Sequence, residues 1–167
     1  MDKIKQNALS TKMGDIYHYY VAIKLLLENN SWVRCEIEKF GDIALIDKNN
    51  KQIFNIEVKH HIDNNELKVY EEEFLKTLSN WFDIKDLFDE DTKLILMTTS
   101  NISSNNPLKN WNQLNSDEKY KIIEENQTQK NGKTYVNMDN YFYKINKNFD
   151  ELKKVLAKFD IQHSLFN

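Results

Sequence analysis

Apolar and polar positions repeat along the chain with two different periods, and the switches between them mark out the elements. Ser10 or Thr11 can cap a helix that runs to about Asn29. Its apolar positions Ile16, Tyr20, Ile23, Leu26 and Leu27 recur close to the helical period. The period then falls to two. Trp32 to Glu38 reads as a strand with Val33, Cys35 and Ile37 on one face and Glu36 and Glu38 on the other. Phe40-Gly41 breaks this run, and Asp42 to Asp47 reads as a second strand. The polar turn 47–51 leads to a third strand, Ile53 to His60, with Ile56 and Val58 facing one way and Glu57 and Lys59 the other.

Helical spacing returns after the Asn64-Asn65 loop. It predicts a helix from near Leu67 to Phe82 on Phe74, Leu75, Leu78, Trp81 and Phe82. Leu94 to Thr99 is nearly all apolar, as expected of a strand covered on both faces. A helix lies between it and the third strand, so a parallel crossover is expected. Beyond Ser100 the pattern weakens. It suggests a loop before Pro107, a short helix over 117–126, a polar stretch at 127–133, a strand over Tyr135 to Tyr143 and a closing amphipathic helix over Phe149 to Phe159. The expected fold class is α/β, a mixed sheet with a three-stranded antiparallel meander and a crossover strand, flanked by helices. Residues 1–167 read as one domain, its core at about 10–100 and its C-terminal extension, 101–167, packed on that core.

Composition narrows the chemistry. A net charge of −3 argues against a protein that coats DNA by charge alone. Lone Cys35 cannot form an intramolecular disulfide, and its apolar setting suits a buried thiol better than a nucleophile. Neither a signal-peptide-like run nor an apolar stretch of about 20 residues is present, so a cytoplasmic protein without membrane contact is expected.

The informative constellation is Gly41-Asp42 followed by Glu57-Val58-Lys59. Adjacent antiparallel strands can bring Asp42 beside Glu57. Strand side chains at i and i+2 leave the same face, so Glu57 and Lys59 point into one site. Two carboxylates suit a hard divalent cation such as Mg²⁺, with Mn²⁺ as a substitute, and the Val58 backbone carbonyl could add a ligand. Lys59 would then sit near a metal-bound water and a scissile phosphate. Asp42, Glu57 and Lys59 are therefore the candidate catalytic residues, with Asp42, Glu57 and Val58 as metal ligands.

Chain order, spacing and neighbours together resemble the PD-(D/E)XK nuclease superfamily. Four blocks carry the resemblance: Met13-Gly14-Asp15-Ile16-Tyr17-His18-Tyr19-Tyr20, Glu38-Lys39-Phe40-Gly41-Asp42-Ile43, Ile56-Glu57-Val58-Lys59-His60-His61 and Phe74-Leu75-Lys76-Thr77-Leu78-Ser79-Asn80-Trp81. They look like the N-terminal double-stranded DNA endonuclease module of bacterial antiphage effectors, both the CBASS type that carries a SAVED sensor and the Lamassu type. The resemblance implies a restriction-endonuclease-like core, Mg²⁺-dependent cleavage of duplex DNA, and activation by homo-oligomerisation. It adds Glu38, Tyr17 and His18 as possible site residues, His18 standing where relatives commonly carry Gln. The length leaves no room for a SAVED domain, so a separate sensor or activator protein is one expectation.

Other readings stay open. Asp42 could simply end a turn, and Glu57 and Lys59 could lie on a solvated strand face. The chain could be a nuclease-like subunit used only for interaction or nucleic-acid binding, or a restriction or repair-type nuclease. Tyr17 and Tyr20 could pack the first helix on the sheet, or Tyr17 could approach the metal site. His60 and His61 should point to opposite faces, which disfavours a two-histidine metal site. Trp81 suits the core or a dimer contact. Lys68, Lys76, Lys109 and Lys119 are candidate phosphate contacts by charge alone.

Overall fold

The short apolar strands and the polar turn at 47–51 dictate a meander, and the rest of the sheet grows from it. The computed structural model describes residues 3–28, 34–61, 66–128, 141 and 144–163. Helix α1 spans Lys3–Glu28 and is followed by β1 (Arg34–Ile37), β2 (Ile43–Ile46) and β3 (Gln52–Lys59). Helix α2 (Glu72–Asp83) leads to β4 (Lys93–Thr98), then α3 (Ser116–Thr128), α4 (Phe149–Lys158) and β5 (Phe159–His163). Short 3₁₀ turns cover Lys85–Leu87 and Pro107–Gln113.

The five strands form one mixed sheet in the order β1-β2-β3-β4-β5. Strands β1, β2 and β3 pair antiparallel, while β4 runs parallel to both β3 and β5. The expected order of helix, meander, helix and crossover strand is present. Among the described residues no helix is long and apolar enough to cross a membrane.

Alternation along β3 and β4 sends side chains to two apolar layers. On one face Tyr17, Val21 and Ala22 of α1 cover Ile43, Leu45, Ile56, Val58, Ile95 and Met97. On the other, Phe74, Leu78 and Trp81 of α2 pack with Leu152 and Leu156 of α4 against Leu94, Leu96 and Phe159. Every residue of β2 is buried, because the sheet is covered on both sides there. Cys35 is half-buried beside the α1 layer, and burial followed by the neighbouring Glu36 charge pushes its thiol pKa up, against a role as nucleophile.

Several elements differ from the sequence expectation. Helix α1 begins at Lys3 rather than at Ser10 or Thr11. Its core-facing residues are Tyr17, Val21 and Ala22, while Ile16, Tyr20, Ile23, Leu26 and Leu27 face outward. Helix α2 starts at Glu72, five residues after the expected Leu67. Leu67 and Val69 are buried all the same, on an extended approach where Leu67 N–H donates to the Asn101 carbonyl at 3.0 Å. Glu72 and Glu73 in the first turn favour a helix start there, because acidic side chains complement the helix dipole.

The closing helix stops at Lys158, and Phe159 opens the unexpected β5. The outer edge of β5 is capped by side chains. Ile161 N–H donates to Asn112 Oδ1 and the Asn112 amide returns a bond to the Ile161 carbonyl, both at 2.8 Å. Lys119 Nζ and Trp111 Nε1–H both donate to the Phe159 carbonyl, at 2.6 and 3.1 Å. Lys119 is only 2 % exposed, so the expectation that it contacts phosphate is wrong. Asn112 and Lys119 thus satisfy an edge that would otherwise offer free backbone groups to another strand. The strand expected over Tyr135 to Tyr143, the Asn64-Asn65 loop and Trp32 and Val33 of the first strand fall outside the described residues, apart from Tyr141, which is helical.

Candidate functional site

The site forms where β2 begins and β3 ends. Their last paired residues are Ile43 and Ile56, so one further step places Asp42 opposite Glu57. Asp42 leaves the ladder there, and its Oδ2 accepts a hydrogen bond from Val58 N–H at 2.7 Å. The Lys59 carbonyl turns the other way and accepts from Thr99 N–H at 3.1 Å. Backbone alternation then aims the Val58 carbonyl toward the Asp42 side of β3.

Asn55, Glu57 and Lys59 share one face of β3. Glu57 is 5 % exposed, and Lys59 Nζ lies 3.2 Å from its Oε2. Burial is the main cause of a raised Glu57 pKa, and the Asp42 charge raises it further. Lys59 and, more weakly, His18 pull it back. His18 reaches Asp42 from α1, with Nε2 3.7 Å from Oδ2. The structure therefore brings Asp42, Glu57, Lys59 and His18 together.

Tyr17 enters one step removed. It is buried under α1, and its ring stacks on His60 at 4.5 Å between centroids and 21° between planes. Burial raises the Tyr17 pKa and lowers that of His60, with His61 and His18 lowering the latter further. His61 points to the opposite side of the sheet, with Nε2 2.8 Å from Oε2 of Glu73 on α2. The two histidines thus diverge, as the strand period requires. Glu38 is exposed in the β1–β2 turn at a φ of +59°, and it contributes its backbone N–H to the Asp42 carbonyl at 3.1 Å.

Two further residues support the site, and the first of them, Asn55, is not among the sequence expectations. Asn55 is fully buried; its amide donates to the Phe40 carbonyl, and its Oδ1 accepts from Trp81 Nε1–H at 2.7 Å. It thereby pins the loop that delivers Asp42. The available signal was a polar residue two positions before Glu57 on the same strand face. Gly41 is the second support. Its φ is +133°, and a Cβ there would lie 2.9 Å from Asn55 Oδ1 and 3.2 Å from Glu57 Oε1. Only a residue without a side chain lets the loop lie this close to both.

The donor set suits a hard cation. Two carboxylates and a carbonyl supply oxygen only, and the buried Glu57 carboxylate lies within the field of Asp42. Among the described residues no group of three or more His, Cys, Asp or Glu side chains could hold a metal. An ion held by Asp42 and Glu57 would complete its coordination with water. Comparison with protein-family models, curated proteins and solved structures finds no match.

Proposed function

We propose that the chain is a Mg²⁺-dependent endodeoxyribonuclease with a restriction-endonuclease-like core. Asp42, Glu57 and the Val58 carbonyl are its metal ligands, and Lys59 is its catalytic lysine. One observation carries the reading: Asp42 is bonded to Val58 N–H at the point where Glu57 and Lys59 emerge together from β3. Duplex DNA as substrate and phage defence as setting rest on the resemblance of the four sequence blocks.

A bound Mg²⁺ would supply positive charge to the scissile phosphate and acidify a bound water. The remaining work falls to side chains. Asp42 is oriented by Val58 N–H, so one oxygen is fixed and the other is left to a ligand. Lys59 offsets the buried Glu57 charge and can turn its ammonium to the attacking water or a phosphate oxygen. His18 borders Asp42 and carries a ring N–H that can donate to a phosphate.

Purified protein incubated with supercoiled plasmid and Mg²⁺ tests this. Wild type should nick or degrade the plasmid, whereas Lys59→Ala and Glu57→Ala should not. Equal cleavage by all three sinks the assignment. A second reading, a nuclease-like subunit without catalysis, draws on the Glu57–Lys59 ion pair, which already neutralises one carboxylate. Calorimetric titration with Mg²⁺ or Mn²⁺ separates them: absence of binding that depends on Asp42 and Glu57 favours the second.

A further inference from the structure

Helix α1 carries two apolar stripes, and the sheet uses one. Tyr17, Val21 and Ala22 are buried on the sheet. The outward stripe is Met13, Ile16, Tyr20, Ile23 and Leu27, which advance by steps of three, four, three and four. This is the seam by which one helix packs knobs into holes on another. Ile16 is 61 % exposed, Ile23 58 % and Leu27 80 %. Tyr19 and Leu26 widen the stripe on one side, and both are also exposed. No charged residue interrupts it. Among the described residues, seven of the nine exposed large apolar side chains lie on this helix.

We propose that this outer face of α1 is a homodimer interface, its occupant being α1 of a second copy. Two arguments select a copy over other partners. The first is period. A strict heptad seam matches another seam of the same period, and an uncharged stripe does not repel itself across a two-fold axis. The second is area. The exposed fractions correspond to on the order of 800 Å² of side-chain surface, the share that each partner buries in a standard-sized interface. From Met13 to Leu27 the seam is about 21 Å long at 1.5 Å per residue, four turns of contact. A patch of this size exceeds what a monomer ordinarily leaves in water.

The pairing stands apart from the nuclease reading, and its consequence deepens that reading. His18, on the same helix, lies 3.7 Å from Asp42. Pairing along α1 would therefore brace the helix that carries His18 to the Asp42 carboxylate.

Sedimentation velocity from about 2 to 100 µM, without metal or DNA, tests the pairing. Wild type is expected to be a dimer. Ile16→Glu/Ile23→Glu, and separately Leu27→Glu, should weaken the dimer at least a hundredfold while leaving the far-UV circular dichroism and the melting temperature unchanged. Ile16→Leu/Ile23→Leu should remain a dimer. A wild-type monomer over the whole range overturns the proposal, as does a dimer that persists in both Glu variants. A monomer whose melting temperature falls on Ile23→Glu identifies the chain's own residues as the cover, and a monomer that floats with phosphatidylglycerol vesicles identifies a membrane. Each of these also overturns it. Loss of nuclease activity with the dimer intact would count against the proposed function alone.

Discussion

Trp81 and Asn55 join α2 to the middle of β3 through a hydrogen bond of 2.7 Å from indole Nε1–H to amide Oδ1. Asn55 passes the constraint to the Phe40 carbonyl, and Phe40 lies two residues before Asp42. A residue of the apolar layer thereby sets the position of a carboxylate that it does not touch.

Trp81→Phe keeps most of the ring volume and removes the donor, leaving a buried amide oxygen unsatisfied. The expected cost is about 1–3 kcal/mol in urea unfolding. Mn²⁺ affinity should fall in the same variant although both carboxylates remain. A Trp81→Phe/Asn55→Ala double-mutant cycle should return a coupling of about 1 kcal/mol. Strict additivity would show that the two residues act independently.

Gly41→Ala tests the close approach of the loop. The new Cβ would meet Asn55 Oδ1 at 2.9 Å at a φ of +133°, where side chains are strained. A loss of about 1–3 kcal/mol is expected. Because Glu57 Oε1 lies only 3.2 Å from the same point, metal binding should weaken as well. Unchanged stability would mean that the loop moves freely.

Glu57→Gln should stabilise the metal-free fold near neutral pH. The folded pKa of Glu57 is raised, first by burial and then by Asp42. A raised carboxyl contributes stability that is present below its unfolded pKa and lost as pH rises through the folded value. Glutamine suffers no such loss, so in EDTA its melting temperature should exceed that of wild type at pH 7. The advantage should vanish by about pH 4, close to the ordinary glutamate pKa, where the folded wild type carries a neutral carboxyl as well. A Gln variant that melts below wild type at pH 7 would contradict burial as the origin of the raised pKa.

Lys119→Ala should damage the fold and spare any DNA contact. The ammonium is 2 % exposed, donates to the Leu156 and Phe159 carbonyls, and lies 3.7 Å from Asp160. Removing it takes one of two donors from each of these carbonyls, which keep the Phe159 N–H and Trp111 Nε1–H respectively, at an expected cost of about 1–3 kcal/mol. Burial lowers its pKa, and the neighbouring Asp160 carboxylate pulls it back up. Fluorescence anisotropy with a duplex should give unchanged affinity for the folded variant. Lys76, which is exposed on α2, is the better test of a phosphate contact.

Local spacing made the meander and the Asp42, Glu57 and Lys59 cluster legible. Period-two alternation fixes which side chains share a face, and a polar turn fixes which strands pair. Other features depend on partners distant in sequence. The richer apolar stripe of α1 pointed to Ile16 and Ile23, yet the sheet accepts the stripe of Tyr17 and Val21. Periodicity reports that a face is apolar and cannot report what covers it. Strand β5 is hidden because Phe159 continues the helical spacing of α4, and the residues that satisfy its edge, Trp111, Asn112 and Lys119, lie more than 35 residues away. Asn55 is not legible locally because its partner, Trp81, lies 26 residues later.

That last separation orders events during synthesis. A chain made from its N-terminus acquires Asp42 and Glu57 before the ribosome has added Trp81. Until α2 folds, the indole cannot reach Asn55, and the Phe40–Asp42 loop lacks its anchor. The carboxylate pair thus acquires its geometry late, once the helix behind it is in place. A nascent chain would hold the acidic groups without the shape that makes them a site.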